Sequence, residues 1–244
     1  MELKEMICKR KSIRSYTGEL VNDVMVHQIL TYLSNLTPLY PDIKIQAKVV
    51  EKDQIKCILP WIPPQAIAIF SEKKEGAYEN AGFLFQQLDL YLQSIGLGTC
   101  WLGMGKMTSQ DLTAVQISDH MKFVMLLSFG YPKEHVLRTS PDEFKRKSLN
   151  EIADKEDSRL EPARLAPSSV NSQPWFFTHE DDCIHAYCTS PKLLKIPSMT
   201  KMNRIDMGIA LAHMYVANPD TFRFFRAESP KVVKGYDYIG SFSI

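Results

Sequence analysis

Ala166-Pro167-Ser168-Ser169-Val170-Asn171-Ser172-Gln173-Pro174-Trp175 is the stretch on which the reading of this chain turns. Pro167 and Pro174 restrict the backbone near both ends and remove two N–H donors. Between them stand three serines, an asparagine and a glutamine, all able to hydrogen-bond. Trp175-Phe176-Phe177 follows at once and reads as a strand entering a core. By composition alone this is a Ser/Pro surface turn with a strand after it. A rigid polar loop feeding a buried strand is also suited to holding a flat polar ligand.

Two further segments stand out. Lys9-Arg10-Lys11-Ser12-Ile13-Arg14 gathers cations and a hydroxyl around one apolar residue. It is either a solvated basic patch or an anion site, since the arginine fork matches phosphate geometry and serine adds a donor. Gly96-Leu97-Gly98-Thr99-Cys100-Trp101-Leu102-Gly103 closes a helix and opens an extended segment. It is not a dinucleotide fingerprint. Trp101 occupies the third glycine position, and a helix precedes the motif where a strand should.

Together the three segments resemble the signature of the nitroreductase family of flavin enzymes. The resemblance implies an α+β, nitroreductase-like fold of mixed, mainly antiparallel sheets packed with helices. It implies flavin mononucleotide (FMN) as cofactor and NADH or NADPH as reductant. Arg10, Lys11 and Ser12 match the segment that grips the phosphate and ribityl chain, and Arg14 matches the basic residue near the flavin ring. Leu97, Gly98 and Thr99 match the backbone that passes the ring, one of them donating to flavin N5. Pro167, Ser168, Ser169 and Asn171 match the loop contacting the flavin from the other side. Arg146, in Phe144-Lys145-Arg146-Lys147-Ser148, matches a second phosphate ligand. The resemblance points to no catalytic side chain and no metal.

The order of these segments departs from the family pattern. The signature loop would ordinarily come near residue 37, where Thr37-Pro38-Leu39-Tyr40-Pro41-Asp42 stands. The first half has the basic segment and the glycine turn; the second half has the loop, with Asn218-Pro219-Asp220 where a glycine turn would fall. An internal duplication accounts for this, with halves 1–146 and 147–244 packed as a pseudo-dimer around one flavin site. A monomeric chain is the expected state. The implied activity is hydride transfer from NAD(P)H to a small electron-poor acceptor such as a nitroaromatic or quinone. A flavin carrier or sensor without turnover is the other class.

Composition sets the bounds. The chain has 244 residues, is 45% hydrophobic and 23% charged, and carries a net charge of +1. That suits one large or two small intimate domains with a sizeable core. A near-zero net charge gives no global field to recruit nucleic acid or membrane. No apolar run approaches the roughly 20 residues of a membrane span. Five cysteines without CxxC spacing argue against a disulfide framework or zinc site, and a reducing cytoplasm is the expected compartment. No Gly-x-Ser-x-Gly elbow supports Ser168 or Ser169 as a nucleophile. His213 lies on an apolar helix face and reads as a core histidine.

Periodicity places the elements. Helices are expected over residues 1–8, from Asn22 or Asp23, over Glu79–Ile95 with Gly96 as a left-handed cap, from Thr108 to Ile117, over 151–165 and over Arg204–Met214. Strands are expected at 45–50, 66–70, 122–130, 174–178, 183–188, 222–225 and 232–239. Pro191 to Met202 reads as an irregular connection.

Overall fold

The computed structural model describes residues 2–108, 112, 117–118, 120–134, 137–193 and 197–244. In chain order the elements are α1 (Leu3–Lys9), α2 (Asp23–Ser34), β1 (Ile45–Glu51), β2 (Ile55–Lys56), β3 (Gln65–Glu72), α3 (Ala77–Ser94), β4 (Gly98–Leu102), β5 (Lys106–Met107), β6 (Met121–Gly130), α4 (Leu149–Ile152), α5 (Glu161–Leu165), β7 (Trp175–Glu180), β8 (Cys183–Thr189), α6 (Pro197–Ala217), β9 (Arg223–Phe225) and β10 (Tyr236–Ser243). Two four-stranded sheets form, in the orders β1-β3-β6-β4 and β7-β8-β10-β9. Every pairing between these strands is antiparallel. This is the α+β, nitroreductase-like architecture that the motifs imply.

The sheets are joined by a pair of central helices, α3 and α6. Both are buried around most of their circumference, which is why neither shows a clean amphipathic stripe. They cross backbone to backbone. A Cβ on Gly82 would lie 2.1 Å from the Ile205 carbonyl oxygen, and one on Gly208 would lie 1.9 Å from that of Glu79. Around the crossing, Ala81, Phe85 and Leu88 share a core with Ile209, Ala212 and Trp175.

Several expected boundaries move. Asn22, rather than Asp23, caps α2 by accepting the Met25 N–H at 2.9 Å. Gly96 takes the left-handed conformation at φ 91°, as a helix-ending glycine does. The expected helix over 151–165 is broken. Ala153 bridges Phe177, and the Asp154 N–H donates to the Phe177 carbonyl at 3.0 Å, so the edge of β7 captures the chain before Asp157 starts a new turn. The expected loop from Pro191 to Met202 gives way to helix at Pro197, because a proline costs nothing in a first turn whose N–H has no partner. The final strand starts at Tyr236, later than the expected residue 232. Most of the helix expected over Thr108–Ile117 lies outside the described residues.

Candidate functional site

Three polar residues of α3, Gln86, Asp89 and Gln93, bind the site together. Asp89 is fully buried and accepts from Arg10 Nε at 2.9 Å, from Gln86 Nε2 at 2.8 Å, from Gln93 Nε2 at 3.2 Å and from the Thr99 hydroxyl. Gln93 also donates to Thr99 Oγ1 at 2.7 Å and accepts the Lys11 N–H at 2.9 Å. Gln86 accepts from Trp101 Nε1 at 3.0 Å and donates to His213 Nε2 at 3.1 Å. His213 Nδ1 must therefore carry the ring proton, which it gives to the Pro162 carbonyl at 3.0 Å. A buried charge needs such partners. The network fixes the basic segment against the glycine turn.

The two segments also meet through the backbone. Ser12 bridges Thr99, and the Ile13 N–H donates to the Thr99 carbonyl at 2.8 Å. Glycine is required at 98 because a Cβ there would lie 2.7 Å from Ile13 Cγ2.

The signature loop approaches from the second half. Val170, Asn171 and Gln173 all have positive φ, at 47°, 57° and 47°. Asparagine tolerates that region; a β-branched valine does not, so the turn stores strain. Side chains hold it. Ser168 Oγ accepts the Gln173 N–H at 2.9 Å, and Gln173 Oε1 accepts the Lys147 N–H at 2.7 Å. Asn171 accepts from Arg146 Nη1 at 2.6 Å and donates to the Lys145 carbonyl at 2.8 Å. Ser169 donates its N–H to both oxygens of Asp206, at 3.1 and 3.0 Å. Its hydroxyl meets Met202 Sδ, which also faces Gly103 beyond β4.

Cations join the loop to the basic segment. Arg138 donates to the Arg10 carbonyl, and the guanidinium carbons of Arg138 and Arg146 lie 4.0 and 5.5 Å from the Phe144 ring centroid. Arg146 bonds only neutral oxygens among the described residues: Ala166 O at 3.0 Å, Leu165 O, Lys145 O and Asn171. Burial, then repulsion from Arg10, Arg138 and Arg164, pulls its pKa down to about 10. This is a desolvated positive cluster with less carboxylate than its charge demands. A dianionic phosphate would relieve it.

The expected site residues separate into groups. Lys11, Ser12, Arg14, Arg146, Ser168, Ser169 and Asn171 keep exposed or half-buried side chains. Arg10 is 1% exposed and spends Nε on Asp89, so it acts first as the anchor of its segment. Thr99 is buried, its hydroxyl given to Asp89. Pro167 is buried and frames the loop. Leu97 leaves the group of N5 donors: its N–H is already given to the Leu92 carbonyl at 2.9 Å, and its side chain is core. Sequence reading passed over Gln86, Asp89 and Gln93, although polar residues at helical spacing in an apolar helix are their signal. It also passed over Arg138 and Asp206, which no local pattern marks.

Asp206 gives the site a pH signature. Burial raises its pKa to about 8 against the opposing Ser169 hydrogen bond. The unfolded carboxyl ionises near about 3.9, so the folded state holds the extra proton between about 3.9 and 8, and stability falls as pH rises through that window. His213 works the other way. Burial first, then Arg10, pushes it down to about 3, so stability is gained as pH rises from about 3 towards the unfolded value of about 6.5. Above that only the Asp206 effect remains of the two. Urea titrations should show a loss of up to about 2 kcal/mol between pH 6.5 and 8 in the native chain. The Asp206→Asn variant should lose much less; parallel losses would remove Asp206 as the cause.

The crystal structure of a "putative nitroreductase" from Thermotoga maritima superposes with a TM-score of 0.63 at 19% identity, over 99% of this chain and 92% of that one. That similarity shows the fold. Looser likenesses are an "FMN-dependent Nitroreductase" from Clostridium difficile (TM-score 0.43, 15% identity, 54% of this chain and 91% of that one) and a "Putative NADH dehydrogenase/NAD(P)H nitroreductase" from Parabacteroides distasonis (0.44, 17%, 62% and 95%). No curated protein matches the chain in sequence. The family model described as "Putative TM nitroreductase" matches residues 2–218, and the chain belongs to that family.

Proposed function

We propose that this chain is an FMN-dependent NAD(P)H oxidoreductase that reduces nitroaromatic, quinone or similar electron-poor acceptors. One observation carries the reading. The partly uncompensated arginine cluster around Arg146 is fastened at one end to the signature loop and at the other, through Arg10, Asp89 and Thr99, to the glycine turn. Arg146, Arg138 and Ser12 would hold the phosphate. Arg14 would set a positive charge beside the ring. Ser168, Ser169 and Asn171 would close over the ligand from the second half. When bound, the flavin supplies hydride acceptance from a reduced nicotinamide and hydride donation to the acceptor.

We further propose that residues 1–146 and 147–244 are degenerate duplicates sharing one site, with no second subunit needed. The five free thiols suit a reducing compartment. Among the described residues no helix is long and apolar enough to cross a membrane.

Visible absorption of the purified protein, with flavin counted after heat release, tests both parts. One FMN per chain, bleached by NAD(P)H and restored by a quinone, is the expected result. Two per chain would end the single-site scheme. Flavin that stays yellow under NADH and NADPH would leave a carrier in place of an enzyme. The Arg146→Ala variant should bind FMN about 10- to 100-fold more weakly, the effect of one lost charge-assisted bond. Unchanged affinity would count against the phosphate site.

A further inference from the structure

A cleft of about 750 Å³ has Arg14 in its lining, and the signature loop takes no part in its walls. Three separate segments deliver cations to it. Arg14 comes from the basic segment. Lys133 is held beside Ser15 by its own N–H, 3.1 Å from the Ser15 carbonyl. Lys52 is held the same way at 3.1 Å from the Pro64 carbonyl. No ion pair among the described residues engages these three side chains. The cleft also contains an aromatic floor. Trp61 is half-buried and pairs with Tyr16 at 6.3 Å between ring centroids. Tyr16 is pinned from behind through its hydroxyl, at 2.8 Å from Ser128 and 3.0 Å from the Ile13 carbonyl. Two carboxylates complete the lining. Glu51 is committed to capping the turn that follows it, which leaves Asp53.

These groups suit the parts of a nucleotide. A flat ring stacks on Trp61, cations take a phosphate, and a carboxylate accepts ribose hydroxyls. We propose that this cleft is a nucleotide subsite, filled by the phosphate-bearing adenosine half of the dinucleotide reductant. Arg14 would stand between the two sites, one face towards the flavin and the other towards the reductant's tail. The source of the nucleotide rests on the oxidoreductase reading; the subsite itself does not.

The test uses the full chain with ADP-ribose, 2′-phospho-ADP-ribose and AMP as probes. Either ADP-ribose form should quench tryptophan fluorescence, and Trp61→Phe should abolish the quench while Trp101 and Trp175 remain. The Lys52→Ala/Lys133→Ala variant should bind the probes at least about tenfold more weakly with flavin content unchanged. In the flavin-loaded protein its KM for NADPH or NADH should rise about tenfold, with kcat unmoved. The KM for 1-benzyl-1,4-dihydronicotinamide, which lacks the adenosine half, should stay where it was. AMP binding as tightly as ADP-ribose, with no change in KM, would overturn the reductant as the source. No quench at millimolar probe would overturn the subsite. Flavin loss in the double-lysine variant would also overturn it, by assigning the cleft to the flavin. ADP-ribose binding to a chain that takes up no flavin would keep the subsite and end the oxidoreductase reading.

Discussion

Gly208→Ala should cost the native state about 3 kcal/mol or more, read as a lower urea midpoint at unchanged slope. In an exposed helix the same change is worth close to 1 kcal/mol in the other direction, because alanine is the better helix former. Here the sign reverses. The added carbon would sit 1.9 Å from the Glu79 carbonyl oxygen and 2.8 Å from the Phe83 nitrogen. Both are backbone atoms of a buried helix, so no rotamer change makes room. α3 and α6 must separate, and the core that they share opens along the crossing. Gly82→Ala meets the reciprocal obstacle at Ile205. The double variant should cost less than the sum of the two, since one separation serves both. A stabilised Gly208→Ala protein would show that the helices do not touch as described.

Asp89→Ala should destabilise by about 3–5 kcal/mol, the range for removing one partner of a buried ion pair. Arg10 would be left charged at 2% side-chain exposure with no carboxylate. Thr99, Gln86 and Gln93 would each lose an acceptor. The pair itself is worth much less than this cost, because its own desolvation offsets the attraction. Arg10→Met combined with Asp89→Leu should therefore recover a large share of the stability. Flavin affinity should fall in both variants, since both leave the basic segment held to the glycine turn only by its backbone bonds to Thr99 and Gln93. Thermal and urea unfolding of the two proteins separate the outcomes. A single variant within 1 kcal/mol of the native chain would mean that Asp89 is not the hub.

The parts of this molecule that could be read in advance are those fixed by local chemistry. The apolar repeat at spacings of three and four from Ala81 marked α3, and Gly96 marked its end. The aromatic run Trp175-Phe176-Phe177 marked β7. The loop from Ala166 to Trp175 was conspicuous for its two prolines, the polar residues between them and its resemblance to a family signature. Boundaries that depend on tertiary contacts were hidden. Nothing in 151–165 signals that the edge of β7 will take Ala153 out of a helix. Asp206 was hidden for the same reason: an acidic residue in a helix is ordinarily solvated, and only the fold brings Ser169 to it. Nothing local to Gly82 or Gly208 signals that each faces a carbonyl of the other helix.

The crossing of α3 and α6 has a consequence for biosynthesis. Gly208 leaves the ribosome 126 residues after Gly82, on the order of ten seconds later at ordinary translation speed. Until then α3 has no partner for the face that carries Gly82, and the apolar residues beside it stand open to solvent. Apolar surface left open in this way is prone to aggregation, so the pairing of the two helices is the step that protects the chain.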